Sequence, residues 1–186
     1  MSVQTMKYLF TVEEYHQMGQ AGILSEDDRV ELIEGEIIQM SPIGKIHALF
    51  VMRLNRLFSK LFSRYAIINV QNPIYLSEDS EPQPDLTLIQ LPLEMYMKSH
   101  PKPENIFLIV EVSDTTLDYD QTVKIPLYAR AGIREVWLVN LMEEILEVYR
   151  NPSPEGYTHI ERYRRGQTLS LVAFPDIPIL VQDILG

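Results

Sequence analysis

The chain has 186 residues, 46% of them hydrophobic and 23% charged, the composition of a folded globular unit rather than of a disordered or fibrous chain. Sixteen Lys and Arg against 26 Asp and Glu give a formal charge of −10, so any nucleic acid has to meet a locally basic surface. Cysteine is absent, which excludes disulfides, thiolate nucleophiles and zinc–thiolate centres.

In chain order, Met1 to Lys7 lacks the apolar stretch of a signal peptide, and no apolar run approaches the ~20 residues of a membrane span. A cytoplasmic protein without membrane contact is expected. Thr11 with Glu14 three residues on fits a capping box for a short helix ending near Gly19, and the cluster Ser25 to Asp28 then resets the chain. Two β-rich runs around Glu34-Gly35, within Arg29 to Met40, predict a hairpin.

Ser41 as cap and Pro42 in the first turn can open the next helix. Its apolar positions Ile46, Leu49, Phe50, Leu54, Leu57, Phe58 and Leu61 recur at three and four. The same segment holds Lys45, Arg53, Arg56, Lys60 and Arg64, and no acidic residue occurs between Glu36 and Glu78. It is a basic strip on an acidic chain, although most basic residues on an amphipathic helix are simply solvated.

Ala66 to Leu76, Asp85 to Gln90 and Phe107 to Val112 read as three strands. A helix opened by Thr115 or Asp118 runs through Tyr128 to Ala131 and stops at Gly132, with Pro126 near its start or kinking it. Glu135 to Leu141, with Trp137, is the next strand. The tail alternates Ile145 to Arg150, Tyr157 to Tyr163 and Thr168 to Ala173 with turn signals at Asn151-Pro152, Glu155-Gly156 and Arg165-Gly166. With no internal repeat or low-complexity tract, residues 1–186 read as one domain. The predicted class is α/β (α+β): a mixed sheet flanked by helices, with an N-terminal helix and hairpin and a C-terminal antiparallel extension.

Asp85 opens a strand, and Glu111 sits near the end of the apolar run Phe-Leu-Ile-Val-Glu-Val, where a carboxylate is costly unless something pairs with it. Two carboxylates at neighbouring strand ends can share one hard divalent cation such as Mg²⁺, which takes oxygen ligands and can activate a water. Lys124, on the following helix, can reach back to stabilise developing charge. The alternative is a structural network in which Asp85 caps a turn and Glu111 pairs with Lys124 or Arg130.

The segments Val30-Glu-Leu-Ile-Glu-Gly-Glu36, His47, Pro84-Asp-Leu-Thr-Leu88, Leu108-Ile-Val-Glu-Val-Ser113, Asp120 with Lys124, and Tyr128 to Leu138, in that order and spacing, resemble the Uma-type putative restriction endonuclease family of the PD-(D/E)XK, or restriction-endonuclease-like, superfamily. The resemblance covers nearly the whole chain. It implies that Asp85 and Glu111 hold Mg²⁺ or Mn²⁺, helped by the Val112 carbonyl. Ser113 stands where the superfamily has its lysine, and the Uma-type pattern moves that role to Lys124.

Glu31 and Glu34 fall in the family's N-terminal hairpin element. Either is a candidate further carboxylate, although a solvated hairpin turn fits Glu31 equally well and fits Glu34 better. His47 can contact a phosphate or water, and Gln71 points to the core or to the metal edge. Trp137 and Tyr128 fall on apolar periodic positions and are expected in the core or a dimer contact. The function so implied is metal-dependent hydrolysis of DNA by a homodimer, with His47, Arg53, Arg56 and Lys60 on phosphates. The alternative is a binding or assembly module that keeps the nuclease fold without activity.

Overall fold

A computed structural model describes residues 6–25 and 27–186; the signal-peptide reading therefore falls largely outside the described residues. The Thr11 capping box forms and starts α1 (Val12–Gln20). The hairpin of β1 (Val30–Ile33) and β2 (Glu36–Gln39) turns on Glu34 and Gly35, both at positive φ, the backbone that a two-residue turn matching the strand twist requires. A Cβ on Gly35 would also meet Leu9.

The long helix α2 (Lys45–Phe62) starts three residues later than the sequence suggested, capped by Gly44 without a side-chain bond. The Ser41 carbonyl instead accepts from Arg29, which holds the Ser41-Pro42 segment extended. Its buried face is Val51, Leu54, Phe58 and Phe62, whereas Ile46 and Leu49 are exposed. At about 100° per residue these two fall on the side of the helix turned away from the buried face, so spacing at three and four does not translate into burial there.

The central sheet has the order β3-β4-β5-β6-β7-β8. β3 (Ile67–Val70), β4 (Leu86–Ile89) and β5 (Ile106–Ser113) form an antiparallel meander. β6 (Glu135–Asn140) lies parallel to β5 after a helical crossover, and β7 (Ile145–Ser153) and β8 (Gly156–Tyr163) extend it antiparallel. The mixed sheet flanked by helices is the architecture expected. β3 is shorter than predicted because Gln71 adopts positive φ and Pro73 follows, which ends the ladder. β7 runs on past Asn151-Pro152. That dipeptide lies beyond the last β6 pairing, Glu135 with Arg150, where a missing N–H costs nothing on the β6 side.

The tail closes with a separate hairpin of β9 (Thr168–Leu171) and β10 (Phe174–Leu180) and the short helix α5 (Val181–Leu185); β10 and α5 were not foreseen. One sheet face packs Trp137, Val139, Leu108 and Val110 on α2, the C-terminal hairpin and α5, with the Phe58 and Trp137 ring centroids 6.0 Å apart. The other packs Ile109, Val136 and Leu138 on the crossover helix. No helix among the described residues is long and apolar enough to cross a membrane.

The crossover is α3 (Leu117–Tyr119), a π turn over Asp120–Lys124, and α4 (Ile125–Arg130). Pro126 has no N–H to continue an ordinary ladder, and the Ile125 N–H reaches back five residues to the Asp120 carbonyl. That widened turn carries both Asp120 and Lys124 inward, each nearly fully buried. Widened turns of this kind occur often at functional sites.

Candidate functional site

The β4–β5 register pairs Leu86 with Val110, so Asp85 and Glu111 face each other one residue further on. The Val112 N–H donates to Asp85 Oδ2 at 2.9 Å, and the Asp85 N–H to Glu111 Oε2 at 3.4 Å. The two carboxylates therefore converge across the sheet. Asp85 also accepts from Gln71 Nε2 at 3.2 Å, and His47 Nε2 lies 3.0 Å from its Oδ2. Gln71 thus points to the carboxylates and not to the core.

Lys124 Nζ lies 3.3 Å from Glu111 Oε1 and 3.2 Å from Glu31 Oε2. Glu31, only 3% exposed, further accepts from the Gln83 N–H at 3.0 Å and the Tyr119 hydroxyl at 3.4 Å. Asp120 accepts from Ser113 Oγ at 2.6 Å and Thr116 Oγ1 at 2.7 Å. Residues 111 and 113 share a strand face, so Ser113 anchors the turn from which Lys124 reaches Glu111, the side where a lysine at 113 would itself point.

Among the candidates, Asp85, Glu111, Lys124, Glu31, His47 and Gln71 are brought together, with the Val112 backbone beside them. Glu34 is not: it sits in the hairpin turn, half exposed, paired with Arg130 at 2.7 Å. Arg53, Arg56 and Lys60 lie along α2 away from the carboxylates, and Arg53 stacks on Phe50. Sequence reasoning missed the Tyr128 hydroxyl, which donates to Glu111 Oε1 at 2.5 Å. Its ring fills the core as predicted. Only the apolar period was readable, and it says nothing about where the hydroxyl lands.

Electrostatically, four carboxylates surround one ammonium. Burial disfavours the charged form of Lys124, but Glu111, Glu31, Asp120 and Asp85 together outweigh it and hold its pKa above the usual lysine range. That single charge does not satisfy all four acids. Burial, then Asp85 and Asp120, push Glu111 up to about 8 against the pull of Lys124, and burial likewise raises Asp120. His47 is raised by its bond to Asp85, with burial opposing. The surplus of anionic oxygen, with no sulfur donor, fits a hard divalent cation. A cleft of about 480 Å³ opens over it, lined by Arg29, Thr116 and Tyr119 besides the acids and Lys124.

Over residues 12–182 the chain matches the family Uma2, described as "Putative restriction endonuclease". Among solved structures it is similar to a protein of Anabaena variabilis described as a putative nuclease belonging to DUF820. The TM-score is 0.71 at 17% identity, over 95% of this chain and 97% of that one, which is likeness of fold. No match is found among curated proteins.

Proposed function

The chain belongs to the Uma2 family of putative restriction endonucleases, and on that premise we propose that it is a metal-dependent endonuclease hydrolysing DNA phosphodiester bonds. The observation that carries this reading is the convergence of Asp85 and Glu111 from neighbouring strands with the Lys124 ammonium beside them. Asp85, Glu111 and the Val112 carbonyl would hold Mg²⁺ or Mn²⁺. Such an ion supplies an activated water and neutralises phosphoryl charge.

The protein's own groups do the rest. Lys124, kept protonated by the surrounding carboxylates, stabilises negative charge developing on the phosphoryl oxygens. Gln71 and His47 fix the Asp85 carboxylate, Tyr128 fixes Glu111, and Glu31 and Gln83 hold the Lys124 side of the cleft. The basic residues of α2, with His47 at the cleft, meet phosphates that the −10 chain would otherwise repel. Residues 1–186 act as one domain, and two copies in the cytoplasm serve the two DNA strands.

The test is cleavage of supercoiled, linear and branched DNA with Mg²⁺ or Mn²⁺ and with chelator. Cutting in metal, abolished by chelator and by Glu111→Gln, is expected. No cutting of any substrate in either metal would leave the inactive binding module in its place.

A further inference from the structure

A second cluster lies on the far side of the N-terminal hairpin. His16 of α1 places Nε2 2.8 Å from Glu81 Oε1, and the His100 ring stands edge-on to His16 with centroids 6.2 Å apart. One ligand atom from each of His16, Glu81 and His100 lies within 4.8 Å of the others. Glu81 is 4% exposed, and its Oε2 has no hydrogen-bond partner among the described residues. A buried carboxylate oxygen left bare is costly, because its lost hydration is not replaced. No lysine or arginine among the described residues bonds it: Lys102 of the same groove rests on the Tyr75 ring instead.

The three ligands are set by backbone bonds that need no ion. The Val12 N–H that starts α1 donates to the Glu78 carbonyl at 2.8 Å, the Glu81 N–H to Leu32 at 2.8 Å, and the Tyr75 N–H to Pro101, beside His100, at 2.9 Å. We propose that His16, Glu81 and His100 form a zinc site, distinct from the carboxylate cleft. Two imidazoles and one carboxylate suit Zn²⁺ with a fourth position open, here toward the groove that also holds Lys98 and Lys102. The all-oxygen set of the cleft suits Mg²⁺ or Mn²⁺. The ion would tie α1 and the segment at His100 to the stretch Glu81–Asp85, whose far end carries the Asp85 carboxylate.

The test uses the full chain, stripped with chelator and titrated with Zn²⁺ while millimolar Mg²⁺ occupies the cleft. Wild type is expected to take up one zinc and to melt roughly 5–10 °C higher at 100-fold excess over Kd. The His16→Ala/His100→Ala variant should lose at least about 100-fold in zinc affinity and the melting shift, while Asp85→Ala keeps both. Should the double variant fold poorly without metal, His100→Gln, on the partly exposed rim, is expected to weaken zinc binding with an unchanged metal-free melt. Zinc uptake that survives the histidine variants, or that Asp85→Ala removes, overturns the proposal, as does wild type that takes up none. DNA cleavage by a zinc-free protein leaves the nuclease reading standing, so the two readings fail separately.

Discussion

Lys124→Met is expected to slow metal-dependent DNA cleavage by roughly 10²–10³-fold and to lower stability at pH 8 by about 3 kcal/mol. Both effects follow from one position. The ammonium lies within 3.3 Å of Glu111 and Glu31 and is 5% exposed, so its removal leaves a buried anionic pair without a counter-charge. The stability loss should shrink toward pH 5 as Glu111 keeps its proton, whereas the rate loss should persist wherever the wild type cuts. Rate against pH, alongside urea melts of both proteins, checks this. A variant that loses stability but cuts at the wild-type rate would reduce Lys124 to a member of a structural ion-pair network.

Without metal, stability is expected to fall as pH rises. Glu111 sits at about 8 in the folded protein, against an ordinary value of 4.5, so between those values the folded state holds a proton that the unfolded state has released. Protons therefore favour the fold. The contribution is complete below 4.5 and is lost as pH rises through 8, a change on the order of 5 kcal/mol. His47 and Asp120 are also raised and slope the same way, while Lys124 acts only above the ordinary lysine value of 10.5. Urea melts in chelator between pH 5 and 8.5 measure the slope. Glu111→Gln should flatten most of it and leave the smaller share of His47 and Asp120, and saturating Mg²⁺ should flatten it in the wild type. A slope of opposite sign in the wild type would mean that Glu111 is a carboxylate satisfied by Lys124 alone.

The elements nearest the site were the most readable. Glu34-Gly35 announced the hairpin, and the apolar run ending in Glu-Val-Ser announced β5, because turn chemistry and strand burial are local properties. Asp85 and Glu111 stood out for the same reason: each is a charge where its own segment predicts apolar or strand backbone. What pairs with them comes from farther along the chain. Glu31 meets Lys124 across 93 positions, and no local pattern distinguishes its burial from the exposure of Glu34 three residues later. Ile46 and Leu49 are spaced at three and four yet lie in solvent, since at about 100° per residue they fall more than roughly 100° round the helix from the face of Val51, Leu54, Phe58 and Phe62. His16, Glu81 and His100 lie on three separate segments, and nothing in the spacing joins them.

Magnesium titration of wild type and Asp85→Ala, followed by calorimetry and by the melting midpoint, bears most directly on the proposed cleft. Wild type is expected to bind the ion at millimolar concentration and to be stabilised by it. Asp85→Ala, with a metal-free melt equal to or above that of the wild type, should show neither response. Equal binding by the two proteins, or no binding and no stabilisation of the wild type, would contradict a cation gripped between Asp85 and Glu111.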